Sequence, residues 1–475
     1  MLLDLLILQV ILGAFDTLYH HELTEQLPYR RGASLELRIH GMRELLYAPI
    51  VIGLAWFEWH GWFALLIAAI FVIEIGLTLW DFVVEDRTRK LPVSERITHT
   101  ILAINGGVFL ALLGATLLGW YAQPGAVEFV DNGWRAWFLS AACVGLVVWG
   151  VRDLHAARKL GAVNRGLAGI NFGATRLHVL VSGATGFIGK RLVWSLLDAG
   201  HSVTVLARNP ARAWMLFDGK VSVCGDLREL NPDCTFDALI NLAGAPVVGL
   251  PWSKSRKALL LESRLTTTRE LLDFIARASI KPRILISASA VGFYGNRGDS
   301  PVTERDPGQA IFVSQLCQAW EQLASQAESC GVRVCTVRLG LVLGWGGAFP
   351  LLIAPYLAGL GARFGDGRQW VSWVHVDDVI AAMAFLMRHP LARGPYNVVA
   401  PGALAQCDMA RVIAQVYHRP QWIAVPRRIM EGVLGEMAEL FTRGQRVSPA
   451  RLCEAGFKFR FPEFAAALRQ VKQSA

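Results

Sequence analysis

The chain has 475 residues, which predicts two or three domains rather than one. It carries a net charge of +9 and a pI near 9.3, but no run of Lys or Arg, and its basic residues cluster beside apolar segments. We therefore expect no nucleic-acid partner. The eight cysteines contain no CxxC pair, which excludes a cysteine metal framework and favours reduced thiols in the cytosol.

Residues 1–152 are predicted to form a five-helix transmembrane domain. Crossing a bilayer takes about 20 apolar residues as a helix, and five stretches qualify: 2–19, 41–59, 61–83, 98–121 and 134–151. No basic region precedes the first stretch and no small-residue cleavage site follows it, so we expect a span rather than a cleaved signal peptide. The lipid bilayer is thus an expected partner.

The charges between these stretches predict their orientation. The segments after the first, third and fifth stretches are basic, with Arg30, Arg31, Arg38, Arg87, Arg89, Lys90, Arg96, Arg152, Arg158, Lys159 and Arg165. The other two segments carry Glu58, Glu128 and Asp131 and no Lys or Arg. Basic loops stay in the cytoplasm. We therefore predict a multi-pass protein of a bacterial-type inner (cytoplasmic) membrane, with its amino terminus outside and its carboxyl-terminal domain in the cytoplasm.

Polar residues in this half exceed what an anchor needs. Weak candidates for metal ligands are His20, His21, Glu22, His40 and His99. Such residues, converging from several helices, bind a metal, relay protons or hold a polar head group. The alternative is that interfacial charged side chains extend to water and pair with one another. Glu74 fits that alternative least, because it lies midway along an apolar stretch.

Residues 153–175 are predicted to be a flexible linker, because they contain several glycines. The strongest signal follows it. Strand Leu177–Val181 leads into the GxxGxxG glycines 183, 186 and 189, then a helix over Phe187–Ala199 and a strand over His201–Ala207. This βαβ pattern is typical of a dinucleotide-binding turn, where a helix amino terminus faces pyrophosphate.

The residue after the second strand indicates which dinucleotide binds. An NAD site places Asp or Glu there, on the ribose 2′-hydroxyl, but this chain has Arg208, with Arg212 one turn later. A guanidinium suits a 2′-phosphate, so we predict NADP(H). The alternative is an exposed arginine after a strand.

Further strands at βα spacing predict a Rossmann-type doubly wound parallel sheet over residues 176–475. Asp226 would meet the adenine amino group, and the small residues Ala243 and Gly244 would let the backbone approach the cofactor. The complete set of predicted cofactor contacts is Gly183, Thr185, Gly186, Phe187, Ile188, Gly189, Arg208, Asp226, Leu227, Ala243, Gly244 and Arg338.

Several segments carry a family resemblance. GATGFIG, Asp226, NLAG, SASAVGFYG and VRLGLVLG resemble the extended short-chain dehydrogenase/reductases. Within these, the chain resembles the atypical nucleoside-diphosphate-sugar epimerase-like, or cell-division-inhibitor-like, proteins. The resemblance covers about 177–472 and does not extend to the membrane half. It implies a small carboxyl-terminal substrate lobe, at approximately 343–375 and 395–475.

The resemblance also implies a catalytic Tyr, a Lys four residues later and a preceding Ser. Ser289, or with less support Ser287, fits the Ser position. Counting back from Glu321 puts Val313 at the Tyr position and Cys317 at the Lys position, and neither can do that chemistry. Tyr294, Cys317 and His375 are the remaining catalytic candidates, each with a structural alternative.

Three functions remain open from the sequence. The first is a membrane-anchored NADP(H)-dependent oxidoreductase or epimerase/isomerase acting on a small, membrane-associated molecule. The second is a non-catalytic NADP(H) sensor or scaffold at the membrane. The third is a metal-dependent membrane enzyme to which the reductase-like half supplies electrons.

Overall fold

A computed structural model describes residues 1–25, 27–88, 91–167 and 169–473, without the side chains of residues 29, 159 and 162–167. The chain separates into two compact units, Met1–Asn164 and Arg165–Ala475. Arg89 and Lys90, two of the basic residues used to predict orientation, lie outside the described residues.

The first unit is helical. Its elements in chain order are α1 (Leu2–Phe15), a π-helical segment (Asp16–Thr24), two 3-10 turns (Leu27–Tyr29 and Arg31–Ala33), α2 (Ser34–Trp56), β1 (Phe57–Trp59), α3 (Phe63–Thr88), α4 (Val93–Tyr121), β2 (Val127–Phe129) and α5 (Trp134–Leu167). Four segments are long and apolar enough to cross a membrane: Leu2–Thr24, Phe63–Thr88, Val93–Tyr121 and Trp134–Arg158. Helix α2, which contains the predicted span 41–59, is not among them, because charged residues near its start lower its mean hydropathy.

Two short strands fix which ends of the helices coincide. β1 follows α2 and β2 follows α4, and the strands pair antiparallel with Glu58 opposite Glu128. The two acidic connections therefore lie at the same end of the bundle. Helices α2 and α4 thus both end there, as an alternating bundle requires.

Helix α5 continues well past residue 152. The flexible linker predicted from residue 153 is therefore helical as far as Leu167. The physical reason is burial, since Asp153 and Ala157 are almost fully covered and Ala157 packs with Leu27 and Leu37.

The second unit alternates strands and helices as predicted. It contains β3 (His178–Ser182), α6 (Phe187–Asp198), β4 (Ser202–Leu206), α7 (Pro210–Leu216), β5 (Ser222–Cys224), β6 (Ala238–Asn241), α8 (Lys254–Arg277), β7 (Ile284–Ala290), β8 (Gly298–Val302), α9 (Phe312–Ser325), β9 (Arg333–Leu339), β10 (Leu341–Leu343), α10 (Phe349–Leu357), β11 (Gly361–Phe364), β12 (Trp370–Val371), β13 (Trp373–His375), α11 (Val376–Arg388), β14 (Gly394–Val398), β15 (Leu404–Ala405), α12 (Gln406–Tyr417), β16 (Gln421–Val425), α13 (Arg427–Leu434), α14 (Glu439–Thr442), β17 (Gln445–Val447), α15 (Ala450–Glu454) and α16 (Phe464–Gln473).

Seven of these strands form one parallel sheet in the order β14-β9-β7-β6-β3-β4-β5. The predicted doubly wound fold is confirmed. From β3 the chain adds β4 and β5 on one side and then crosses to β6 on the other, so strand order reverses between β3 and β6. Ligands of such sheets bind at that switch point, beyond the carboxyl ends of the strands.

The rest of the chain builds a smaller lobe from two-stranded sheets and helices. Its core contains Phe349, Tyr356 and Trp373, packed with residues of α12 and α16. Strand β14 pairs with β9 in the main sheet. Residues 394–398 therefore belong to the main sheet, although the resemblance implied that the substrate lobe resumes at residue 395.

Candidate functional site

The turn after β3 needs glycine at two of its three motif positions. Gly183 has φ of +69°, and a Cβ added there would lie 2.5 Å from the backbone carbon of Leu242 at the end of β6. A Cβ at Gly189 would lie 2.2 Å from the carbonyl oxygen of Gly183. Both glycines therefore allow strand, turn and helix to approach closely at the switch point.

The remaining motif glycine, Gly186, lies at the solvent-exposed amino-terminal end of α6. Gly186 is the N-cap of α6, and Thr185 and Gly186 are both exposed. Among the described residues no side chain caps this end, so the amides of Phe187, Ile188 and Gly189 are left for an anion. All six turn residues predicted to contact the cofactor thus lie together.

A glycine-rich loop after β10 packs on the same turn. A Cβ at Gly346 would lie 2.3 Å from the ring of Phe187, and one at Gly344 would lie 2.6 Å from it. Only a loop without side chains fits against the phenyl ring at this distance. Phe187 therefore links the turn to the loop that leads into the smaller lobe.

A buried hydrogen-bond network fixes the strand ends. Ser182 Oγ donates to Asn241 Oδ1 at 2.7 Å, and Asn241 Nδ2 donates to Thr268 Oγ1 at 2.9 Å. Trp320 Nε1 also donates to Thr268 Oγ1, at 3.1 Å. The network joins β3, β6, α8 and α9, which keeps the switch point rigid.

Arg208 lies just beyond β4, at the position where the ribose specificity residue is expected. Both Arg208 and Arg212 are exposed. Neither guanidinium makes a hydrogen bond or ion pair with a described residue. Asp226, by contrast, accepts from Arg228 Nη2 at 2.6 Å and Nε at 3.0 Å, and this hydrogen bonding keeps the Asp226 pKa below its usual value. The neighbouring Leu227 is buried in the core.

Ala243 and Gly244 lie beyond β6, next to Arg264 of α8. A Cβ at Gly244 would lie 3.0 Å from the guanidinium carbon of Arg264. Arg264 is buried, donates to the carbonyls of Leu260 and Ala245 at 2.7 and 3.1 Å, and lies over the ring of Trp320. Burial lowers its pKa.

Ser289, the expected substrate-orienting serine, ends β7. Its hydroxyl donates to Glu321 Oε1 at 2.6 Å. Arg338 donates to both oxygens of Glu321, at 2.9 and 2.7 Å. Arg338 is 3% exposed, so its guanidinium is occupied by an internal ion pair, which favours a supporting role over the predicted cofactor contact. Ser287 is fully buried.

The same network contains Tyr294. Its hydroxyl accepts from Arg338 Nη1 at 2.9 Å and donates to Asn397 Oδ1 at 2.6 Å. The side chain is fully buried, and burial raises its pKa to about 12. This geometry favours a structural role for Tyr294.

Helix α9 carries Val313 and Cys317 at the two positions where the short-chain dehydrogenase/reductases that this sequence resembles have their Tyr and Lys. Val313 packs against Gly292, where an added Cβ would lie 3.5 Å from it. Cys317 is 3% exposed, and burial raises the pKa of its thiol to about 11. Nucleophilic cysteines are thiolates in accessible, electropositive surroundings, so this environment favours an inert, packed side chain.

His375 is the N-cap of α11. Its Nδ1 accepts from the amide of Asp377 at 3.2 Å, and its Nε2 lies 2.8 Å from Gln470 Oε1. It is 1% exposed, and burial lowers its pKa to about 4. The geometry favours a neutral, capping histidine.

With this geometry in place, the second unit has clear relatives. The NAD dependent epimerase/dehydratase family matches residues 179–399, and a domain of unknown function, DUF1731, matches residues 425–471. Epimerase family protein YfhF of Bacillus subtilis is 35% identical over 299 residues, which are 62% of this chain and 98% of that protein. The chloroplastic SDR39U1 homolog of Arabidopsis thaliana is 34% identical over 306 residues, which are 63% and 88% of the two chains. The chain belongs to the epimerase family.

Solved structures agree with this family assignment. Human epimerase family protein SDR39U1, crystallised with NADPH, is 30% identical with a TM-score of 0.56, covering 62% of this chain and 99% of that one. A nucleoside-diphosphate sugar epimerase from Corynebacterium glutamicum is 28% identical with a TM-score of 0.51, covering 73% and 68%. Both family matches begin at residue 179 or later, so the first unit of this epimerase-family chain lies outside them.

In that first unit, four of the five weak metal candidates converge. His20 and His99 both bond to Asp16, and the rings of His21 and His40 stack with centroids 4.6 Å apart. Glu22 instead pairs with Arg152. The sequence analysis did not include two acidic residues of this cluster, Glu36 and Glu95, although each stands four residues before a candidate histidine.

Proposed function

We propose that the chain is a membrane-anchored NADP(H)-binding member of the epimerase family, acting as an oxidoreductase or epimerase without the usual Tyr–Lys pair. One observation carries the cofactor choice: Arg208 is an exposed guanidinium without a described partner, at the end of the second strand of the binding unit. The human relative, whose structure contains NADPH, supports the same choice. A guanidinium there is suited to a 2′-phosphate rather than to a hydroxyl.

The cofactor choice is tested by titrating the detergent-purified full chain with NADPH and NADH. We expect tighter binding of NADPH. Arg208→Ala should weaken NADPH binding about ten- to hundredfold, the size of a lost charge-assisted hydrogen bond, and leave NADH binding nearly unchanged. Arg283→Ala is the matched control, because Arg283 is exposed but precedes β7 at the opposite, amino-terminal edge of the sheet. Equal loss for both cofactors, or no loss, contradicts the proposal.

The reaction is constrained by the direction of one hydrogen bond. NADP(H), when bound, supplies or accepts a hydride. Ser289 is 3% exposed and directs its hydroxyl hydrogen to Glu321, so a substrate that reached Ser289 would meet its oxygen as an acceptor. We therefore propose that Ser289 receives a hydrogen bond from a substrate hydroxyl, rather than donating one to a substrate carbonyl. Such a substrate would be a small molecule bearing an alcohol.

A second function has an observation in its favour. Val313 and Cys317 replace the proton-transferring pair, and Tyr294 is buried, which favours a non-catalytic NADP(H) sensor at the membrane. The two functions are separated by following NADPH absorbance with full-length protein and with lipid and quinone extracts. Tight NADPH binding without oxidation in any extract supports the sensor. Turnover that Ser289→Ala abolishes supports the enzyme.

We also propose the anchoring and its orientation. The support is that four helices are long and apolar enough to span a membrane, and that both acidic connections meet at the β1–β2 end of the bundle. If α2 crosses as well, the basic connections all lie at the other end and face the cytoplasm. The amino terminus and the β1–β2 end would then be outside.

Orientation is tested with a protease site inserted after Asp131, in the second acidic connection, and a matched site after Ala475. In intact spheroplasts, external protease should cut the first site only. After lysis both sites should be cut. Cleavage of the second site in intact spheroplasts, or protection of the first, overturns the orientation. Release of the protein from membranes by high salt or carbonate overturns the anchoring itself.

A further inference from the structure

A compact group of histidines and carboxylates lies inside the helical unit, at the end opposite β1 and β2. The helices contribute it in pairs spaced four residues apart, which places both members of a pair on one helix face. The pairs are Asp16 and His20 in the π-helical segment, Glu36 and His40 in α2, Asp81 and Glu85 in α3, and Glu95 and His99 in α4. Seven of these eight side chains are buried, and His99 is partly exposed.

Ligand-type atoms of this group and of the neighbouring His21 form two sets. In the first set, one atom each from His21, Glu85, Glu95 and His99 lie within 4.8 Å of one another. In the second set the same holds for Glu36, His40 and Glu85. Donor atoms on opposite sides of one transition-metal ion are about 4 Å apart, given bonds of about 2.1 Å, so small side-chain rotations would close either set. Glu85 belongs to both sets.

His21 supplies an independent sign of a ligand. Its Nε2 is buried, yet it has no hydrogen-bond partner among the described residues. The nearest carboxylate oxygens are Asp16 Oδ2 at 3.5 Å and Glu95 Oε1 at 3.6 Å, both beyond a normal hydrogen bond. His21 is 6% exposed, so water is largely excluded from it. A buried ring nitrogen that points between carboxylates without bonding to either is suited to a cation between them.

The outer partners of the histidines follow the pattern of metal sites. A metal-bound histidine usually gives its second ring nitrogen to a carboxylate, which fixes its orientation. His99 Nε2 lies 3.0 Å from Asp16 Oδ2, which leaves its Nδ1 facing Glu85 Oε2 at 3.6 Å. His40 Nε2 lies 3.0 Å from Asp81 Oδ2, an oxygen that Arg43 also holds at 2.7 Å, and 3.8 Å from Glu85 Oε1. The other ring nitrogen of His40, Nδ1, is buried and has no hydrogen-bond partner among the described residues.

We propose that the helical unit binds a pair of divalent transition-metal ions bridged by the Glu85 carboxylate. His21, Glu95 and His99 complete one position, and Glu36 and His40 complete the other, with Asp16 and Asp81 as outer partners. Mixed imidazole and carboxylate donors select Zn²⁺, Mn²⁺ or Fe²⁺ over Mg²⁺ and Ca²⁺, which take oxygen ligands. The arrangement is analogous to carboxylate-bridged metal pairs in the cores of helix bundles.

The first position lies near the surface of the unit. His99 lines a shallow groove with Phe82, Thr100, Ala103 and Ile104. We therefore expect EDTA in detergent solution to remove an ion from this position without unfolding the bundle. This site is separate from the proposed NADP(H) turn and does not depend on it.

The proposal is tested on the full chain in detergent, stripped with EDTA and then titrated with ZnCl₂ or MnCl₂. Bound metal is measured by mass spectrometry after gel filtration. We expect two ions per chain for the wild type. Glu85→Gln, which is nearly isosteric, should raise the Kd of both ions by more than about a hundredfold, because it removes a ligand of both rather than an outer partner. His21→Ala and His40→Ala should each retain one ion.

His60→Ala is the control. His60 is also buried and lies beside Glu58 and Glu128, but at the β1–β2 end of the bundle. The His60→Ala variant should retain two ions.

If Glu85→Gln does not elute as a single species, the numbers of ions bound by His21→Ala and His40→Ala decide the test. Fewer than two ions in the loaded wild type, or two ions in both histidine variants, overturns the proposed pair. NADPH binding measured on the same samples keeps this result separate from the cofactor proposal.

Discussion

The Ser289 hydroxyl and the Glu321 carboxylate are joined by a hydrogen bond of 2.6 Å, at the point where β7 ends against α9. The same carboxylate forms a two-point ion pair with Arg338 on β9. In the sequence, Glu321 only marks the position from which the places of the missing Tyr and Lys are counted. In the fold, its carboxylate joins Ser289 to the buried Arg338 guanidinium.

This relationship predicts a large cost for removing Glu321. Glu321→Ala leaves the 3% exposed Arg338 guanidinium without its carboxylate, and breaking a buried pair costs about 3–5 kcal/mol. Native-state hydrogen exchange of peptides from β7 and β9 measures the loss. The double variant Glu321→Ala/Arg338→Met should recover much of it, since no unpaired charge remains. A double variant that is less stable than Glu321→Ala contradicts the assignment.

One close-approach glycine, Gly189, and one glycine in open space, Gly200, predict a contrast between two alanine substitutions. Gly189→Ala should destabilise the second unit by about 3 kcal/mol or more, because its Cβ would overlap the Gly183 carbonyl. Gly200→Ala should cost only about 1–2 kcal/mol, since Gly200 has φ of +82° but open space around it. Urea unfolding of the full chain in detergent compares them. Equal effects would mean that backbone strain, rather than packing, determines the cost.

His375 predicts a pH dependence of stability. Its folded pKa, about 4, is below the usual 6.5, so the unfolded chain binds the proton more readily. The stabilisation is therefore complete above about pH 6.5 and is lost as pH falls towards 4. Asp378 acts in the opposite direction, because burial raises its pKa to about 6, so the measurement must be a difference between proteins.

The appropriate comparison is the wild type with His375→Asn, whose side chain can still cap α11. Urea unfolding between pH 4 and 8 should show a stability difference that shrinks by up to about 3 kcal/mol as pH falls, from 1.36 kcal/mol per pKa unit. A difference that is constant with pH would show that His375 is accessible and titrates normally in the folded protein.

Cys317 predicts low chemical reactivity. A thiol that is 3% exposed with a pKa of about 11 has almost no thiolate at neutral pH. In the folded full chain, iodoacetamide at pH 7.5 should modify the exposed Cys453 well before Cys317, as followed by peptide mass spectrometry. After unfolding in urea the two rates should become similar. Rapid modification of Cys317 in the folded protein would restore it as a candidate nucleophile.

The sequence by itself was enough to predict the main helices and strands and the glycine turn of the expected cofactor site. Strands β3 and β4 and helix α6 match the predicted segments within a few residues, because buried apolar runs and the three motif glycines are local signals. The five helices of the first unit were visible for the same reason, since each contains a long apolar stretch. Arg208 could be proposed from the sequence as the residue that selects NADP(H), because that proposal depends only on its distance along the chain from the glycine turn.

Only the tertiary structure decided what the polar residues do. Tyr294, Arg338 and His375 all looked accessible in sequence, but partners far along the chain, namely Asn397, Glu321 and Gln470, bury and occupy them. Likewise Glu85 became a shared group only when α2, α3 and α4 packed together. Burial and hydrogen-bond partners are set by contacts between distant segments, and no local pattern encodes those contacts.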